Sequence, residues 1–354
     1  MYKTLQELFV ALLEIDSPSG EEKEVSDFVM AYLQNLGLNP VQDKHNMVYC
    51  RIGSGEEPVI FCNHLDTVEP GRNIQVVIED GVIRSAGETI LGADNKAGLA
   101  TILWNVANLV DTETELNIEL LFSVDEETRS GVTDFDISLL ESKKAVVIDG
   151  GSDIARIVTQ SSSIGQFEIE LIGTASHTST PELANNALEA FMYLSRDIKL
   201  GMIADDTTLN IGLLSSGSAA NTIPGSLQLE GDLRSADVKI YQSQKNKLLQ
   251  AFNSLSLSHN IEVKIMWSDY ADAYTIDPES DNLDKLRQIY QSVGLEPNLA
   301  TVTSGSDAGF LNKIGIEAFC LGDGVDDPHT VDESITVSAL NKLSEITHGL
   351  IVNF

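Results

Sequence analysis

Residues 58–66 read PVIFCNHLD. The continuous apolar run of Val59, Ile60, Phe61 and Cys62 is the pattern of a strand buried on both faces, as in a parallel sheet covered by helices. It ends in Asn63-His64-Leu65-Asp66, so a histidine and a carboxylate two residues apart share one side of the extended chain as it leaves the strand.

Working outward, similar strand-like runs occupy residues 47–51, 75–78, 81–84, 116–124 and 145–148. Helical spacing of apolar residues predicts helices over 4–15, 25–36 and 97–110. From about residue 163 the texture changes. Strands are expected over 167–172, 208–214, 226–233 and 261–267, mostly alternating in and out, with helices over 185–198 and 238–255. A helix over 282–293, a strand over 316–321 and a final helix from Val337 return to the first texture. The expected fold class is therefore α/β: a mixed, largely parallel sheet flanked by helices, built from residues 1–162 and 270–354. It is interrupted by an inserted α+β module of four strands and two helices, residues 163–269.

Composition narrows the function classes. The 354-residue chain is 42% hydrophobic and 21% charged, as in ordinary globular proteins, but 54 acidic residues against 22 basic ones leave a formal net charge of −32. Such a field repels polyphosphate and anionic membrane surfaces, so neither nucleic acid nor a membrane is expected as a partner. Cys50, Cys62 and Cys320 are too few and scattered for a disulfide framework, and their apolar neighbours predict buried, reduced thiols. The start, MYKTLQELFVALLEIDSPSG, lacks the features of a signal peptide, and no apolar run reaches the ~18 residues of a membrane span, so a cytoplasmic location is expected.

Five places carry candidate chemistry. His64 and Asp66 follow the run 59–62, and Asp94 lies in GADNKAG just before a helix. Glu126 and Glu127 follow the run 116–124, Asp149 in DGG ends the next strand, and His329 in DPHT follows the run 316–321. Four of the five stand just beyond strand C-termini, where open α/β sheets collect ligands. Singly they are weak: six histidines in so acidic a chain produce roughly one H-x-[DE] by chance. Together, two histidines and three carboxylates form a set suited to zinc, manganese or cobalt. With one carboxylate shared, five such side chains can hold two ions about 3.5–4 Å apart. Asp66 can then accept the spare ring N–H of His64 and set its tautomer. Of the adjacent glutamates, one can bind metal while the other takes a proton from water.

In that order, HLD, GADNKAG, DEE, DGG and a late histidine resemble the M20 family of cocatalytic zinc peptidases and amidohydrolases, with particular similarity to its peptidase T and tripeptidase-like members. The resemblance spans essentially the whole chain, including IDSPSGE at residues 15–21. It implies a catalytic domain with an inserted lid and dimerisation domain, acting as a homodimer. It implies two Zn2+ per subunit, with Mn2+ or Co2+ as alternatives: His64 and Asp149 on one ion, Glu127 and His329 on the other, and Asp94 bridging. Asp66 would orient His64, and Glu126 would be the general base and acid. The implied activity is hydrolysis of a peptide bond in small peptides by a metal-bridged hydroxide. The Asp94–Asn95 peptide bond would be cis. In the inserted domain, His177 matches a histidine that stabilises the oxyanion in the partner's site, and Asn221 and Arg234 match residues that hold a substrate carboxylate or amide oxygen. Ser304-Gly305-Ser306-Asp307 resembles a substrate loop in which Ser304 replaces a glycine. His45, His259 and His348 have no motif around them and read as structural or surface residues.

The rival within the family is an N-acyl-amino-acid deacylase, and outside catalysis a metal-binding relative. The intact ligand set together with Glu126 argues against the second. Other cocatalytic aminopeptidases order their ligands similarly, but the gap of about 180 residues between Asp149 and His329 accommodates the inserted module.

Overall fold

The structure is a computed structural model describing residues 2–128 and 131–354. The chain divides into two compact units, one of Met1–Thr159, Thr275–Thr301 and Ser306–Phe354, the other of Gln160–Tyr274 and Val302–Gly305.

The first unit is built on an eight-stranded sheet. In spatial order its strands are Val41–Gln42, Val48–Ile52, Ile118–Ser123, Val59–His64, Lys144–Ile148, Glu317–Leu321, Arg156–Gln160 and Asn298–Thr301. The four central strands, Ile118–Ser123 through Glu317–Leu321, are mutually parallel, and antiparallel strands flank them. Every residue of Val59–His64 and Ile118–Ser123 is buried, which is why their sequences do not alternate. Helix Ala93–Leu109 is buried on nearly all sides. Its Asn105 Nδ2 donates to the Ser344 carbonyl of the C-terminal helix Val337–Asn353, 3.1 Å away, and Thr101 meets Thr347 of the same helix at 3.2 Å. A smaller antiparallel sheet joins Val76–Glu79, Val82–Ser85, Ser334–Thr336 and Val325–Asp326. Strand Arg156–Gln160, which lies between Glu317–Leu321 and Asn298–Thr301, and the edge strand Asn298–Thr301 were not expected from the sequence: the first buries only Ile157 and Val158 and the second is mostly exposed, so neither has a long apolar run.

The second unit is an antiparallel sheet with two helices on one face. The four expected strands appear as Ser163–Ile172, Thr207–Ser216, Ser226–Ser235 and Glu262–Ala271, and a short strand Gly201–Ala204 extends one edge. Residues alternate from Gln166 to Ile172, where Phe167, Ile169 and Leu171 are buried and Gln166, Glu168 and Glu170 face outward. These three meet Leu248, Phe252 and Leu255 of helix Val238–Ser258 in the core of the unit.

The three cysteines are buried and free, as expected from their neighbours. Among the described residues, no helix is long and apolar enough to cross a membrane.

Candidate active site

The parallel core explains where the site forms. Val59–His64 and Ile118–Ser123 run in register, so that His64 pairs with Ser123 and the two strands end level. Lys144–Ile148 and Glu317–Leu321 end level as well, with Ile148 opposite Leu321. Thus His64, Glu126 and Glu127, Asp149, and also Asp323 leave the same edge of the sheet from four neighbouring strands. Asp94 comes from above that edge, at the start of helix Ala93–Leu109, where it and Asn95 depart from helical backbone angles. The Asp94–Asn95 peptide bond is cis.

Asp94 divides its two carboxylate oxygens between the histidines. Oδ1 lies 3.3 Å from His64 Nε2, and Oδ2 lies 3.3 Å from His329 Nε2. His329 Nε2 is also 2.8 Å from Glu127 Oε1. Ligand-type atoms of His64, Glu126 and Asp149 all lie within 4.8 Å of one another, as do those of His64, Asp94 and Glu127. The fold therefore gathers His64, Asp94, Glu126, Glu127, Asp149 and His329 into one cluster, buried at His64 and Glu126 and open to solvent at His329, whose side chain is 49% exposed.

Burial and charge set the protonation of these groups. Burial pushes Glu126 well above the usual carboxylate range, with the negative charges of Asp307 and Glu127 adding to it against the pull of His64. Burial raises Asp149 likewise, reinforced by Glu126 and Asp94. Asp94 shows the opposite balance: burial alone would raise it, but its bonds to His329 and His64 hold it well below its ordinary value. Burial pulls the His64 imidazole down, yet bonds to Asp66 and Asp94 outweigh it. Bonds to Asp94 and Glu127 lift His329 to about 10. Several buried carboxylates thus face only two imidazoles. Uncompensated buried negative charge is costly, and a mixed imidazole–carboxylate set of this kind is suited to divalent cations. The residues present fit a metal centre.

Asp66 does more than its spacing suggested. His64 Nδ1 is 3.0 Å from the Asp66 main-chain oxygen and 3.5 Å from its carboxylate. The carboxylate's shorter bonds come from Ser19 Oγ (2.7 Å), Glu126 N (3.0 Å) and Glu127 N (3.1 Å).

Two further buried carboxylates, Asp323 and Glu333, escaped the sequence reading, and a third, Asp307, entered it only as part of the loop that begins at Ser304. Asp323 forms a group with Asp94 and Asp149 whose ligand-type oxygens lie within 4.8 Å, and burial lifts it to about 7. It stands two residues beyond strand Glu317–Leu321, the same strand-end signal that marked the others. Glu333 accepts from the backbone N–H of Gly92 (2.7 Å) and of Asp94 (2.9 Å), and burial lifts it to about 7. Asp307 accepts from Ser123 Oγ (2.5 Å), Val132 N (2.9 Å) and, at 3.6 Å, the Cys62 thiol.

The remaining expected residues lie in the second unit. His177 and Asn221 are neighbours at paired strands Ser176–His177 and Thr222–Ile223, with Asn221 Nδ2 3.5 Å from His177 Nε2 and Ser179 Oγ 2.8 Å from His177 Nδ1. Arg234 donates to Asp232 Oδ2 at 2.6 Å and to the Thr303 carbonyl at 3.2 Å, which brings it to the segment carrying Ser304 and Gly305. It also lines a groove of about 550 Å³ on the outer face of that unit's sheet, with Asp232 and Trp267.

The model of peptidase family M20/M25/M40 matches residues 60–353. The chain belongs to this family. As an M20-family protein it is a hydrolase. Its fold is shared by aminopeptidase PepT from Bacillus cereus, with 25% identity, a TM-score of 0.89, and coverage of 99% of this chain and 97% of that one. A tripeptidase from Staphylococcus aureus is 26% identical with a TM-score of 0.92, covering 98% of this chain and 96% of that one. The succinyl-diaminopimelate desuccinylase of Pelagibacter ubique is 27% identical over 87% of this chain and 85% of its own length.

Proposed function

We propose that this M20-family chain hydrolyses a peptide bond in small peptides at a two-metal site, with Glu126 as general base and then general acid. The observation that carries the reading is the division of the Asp94 oxygens between His64 and His329, beside a buried Glu126. His64 and Asp149 would hold one divalent cation, Glu127 and His329 the other, and Asp94 both. Zinc is the ion proposed, with manganese and cobalt accepted by the same donors. When bound, the cations supply Lewis-acid polarisation of the scissile carbonyl and lower the pKa of water.

The chain's own part is proton traffic and orientation. Glu126, as the carboxylate, takes the proton as water adds to the carbonyl carbon, and its burial raises its affinity for that proton. It returns that proton to the departing nitrogen as the C–N bond breaks, leaving a carboxylic acid and an amine. Asp66 holds the backbone of Glu126 and Glu127 through their N–H groups. By the same reading, residues 163–269 form a lid and homodimer contact. The substrate contacts are His177, Asn221 and Arg234 of the lid and Ser304 and Gly305 of the later loop, His177 serving the partner's oxyanion.

Glu126→Gln tests the role of Glu126. The variant should bind both metals as the parent does while kcat falls about 10²–10⁴-fold. Near-normal turnover would remove Glu126 from the chemistry. The resemblance to a desuccinylase supports a second reading, an N-acyl-amino-acid deacylase. A panel of di- and tripeptides against N-acetyl and N-succinyl amino acids, with the metal-replete protein, separates the two.

A further inference from the structure

The stretch Ile15–Glu21 has no part in the chemistry above, yet it is tied to the exit of strand Val59–His64 and to the start of helix Ala93–Leu109. Thr67 N donates to the Ser17 carbonyl at 2.9 Å, Ser19 N to the Thr67 carbonyl at 3.3 Å, and Lys96 Nζ to the Ile15 carbonyl at 2.5 Å. At its end stands Glu22, 2% exposed, at the N-cap position of helix Lys23–Asn35. The side chain does not cap that helix. Its Oε1 accepts instead from Gly20 N at 2.6 Å and from Asp125 N at 3.1 Å.

The Asp125 bond continues a pattern. The next two backbone N–H groups, of Glu126 and Glu127, end on the two oxygens of Asp66, and Ser19 Oγ holds one of those oxygens. Three consecutive N–H groups thus converge on two buried carboxylates. Asp125 makes this turn possible with a φ of 57°, in the left-handed region where a non-glycine residue is uncommon. Successive N–H groups brought together in this way form an anion-accepting concavity. Here the anions are the protein's own, so the turn bearing the catalytic pair is fastened through its backbone while both side chains stay available to the site.

We propose that Glu22 is a positioning residue for Glu126, holding the Asp125–Glu127 turn from the N-terminal segment, and that Ser19 does the same through Asp66. The proposal rests on the reading of Glu126 as base. Its physical basis is that misplacing a catalytic group by about 1 Å can cost about 100-fold in rate.

Both Glu22 bonds fall on one oxygen, so a glutamine can accept them through its amide oxygen and an alanine cannot. Glu22→Ala, in the metal-replete full chain, should lower kcat about 10–100-fold with KM and bound metal unchanged. Glu22→Gln should restore kcat to within about threefold of the parent, since the accepted bonds and not the charge are required. Ser19→Ala, a milder change that leaves Glu22 in place, should lower kcat about 3–10-fold with the same unchanged KM. Glu126→Gln runs beside them: if it keeps turnover, the base reading itself fails. If it is inactive but Glu22→Ala and Ser19→Ala both turn over at the parent rate, the positioning role alone fails. Loss of metal in parallel with activity, or Glu22→Gln as slow as Glu22→Ala, would equally overturn it.

Discussion

Glu333 follows His329 in one loop and reaches across to the start of helix Ala93–Leu109, where its two oxygens accept from Gly92 N and Asp94 N. It therefore joins the loop bearing one histidine to the backbone of the carboxylate that faces both. A glutamine there can accept one of these bonds but must point its amide N–H₂ at the other donor. Glu333→Gln should cost about 1–3 kcal/mol in stability. It should also weaken metal binding about 10–100-fold, read by competition with a chromogenic chelator. Binding as tight as the parent's would show that Asp94 does not need this support. The side chains of the proposed metal site were legible because histidine and carboxylates recur at strand ends in a specific order. Glu333 and Glu22 were not, because a carboxylate accepting a distant backbone N–H has no pattern of its own. Their bonds to Asp94 and Asp125 span 239 and 103 residues.

The geometry of the site at the level of elements depends on how closely helix Ala93–Leu109 lies on the sheet. Gly98 is buried there, and a Cβ at that position would sit 2.1 Å from Asn63 Oδ1, 2.7 Å from Asn95 Oδ1 and 3.1 Å from the Ile148 Cβ. Asn63 in turn donates to the carbonyls of His64 and Asn95, both at 2.8 Å, linking the strand end to the Asn95–Lys96 peptide. Gly98→Ala should push helix and strand apart, destabilising the protein by about 1–3 kcal/mol and lowering its melting temperature. A variant as stable as the parent would mean that the helix shifts freely. The central parallel strands were readable because burial on both faces leaves a continuous apolar run. Strands Arg156–Gln160 and Asn298–Thr301 were not, since the first buries only its Ile157 and Val158 and the second, at the sheet edge, is mostly exposed, which leaves no long apolar run in either.

Across the whole molecule, a net charge of −32 means that folding brings like charges together. The Debye length shrinks from about 10 Å at 0.1 M salt to about 3 Å at 1 M, so screening should relieve this repulsion. The melting temperature should rise by several degrees as NaCl increases over that range, followed by differential scanning calorimetry. A flat or falling trend would show that local ion pairs, such as Arg72 with Glu21 and Glu69, outweigh the net field. The separation of the chain into a mainly parallel unit and an antiparallel one was visible as a change from continuous to alternating apolar runs near residue 163, because each pattern reports how many faces of a strand are covered.

The order of residues was enough to specify which strands are buried and which polar side chains stand at their ends, since both follow from a local periodicity of two and from where apolar runs stop. Folding settled the rest: that four of those ends lie level on adjacent strands, that Asp94 comes down between His64 and His329, and that Glu22, Asp66 and Glu333 are spent on backbone N–H groups. Those pairings depend on strand order and register, which bring together residues far apart in the chain, and no local pattern encodes a distance across the fold.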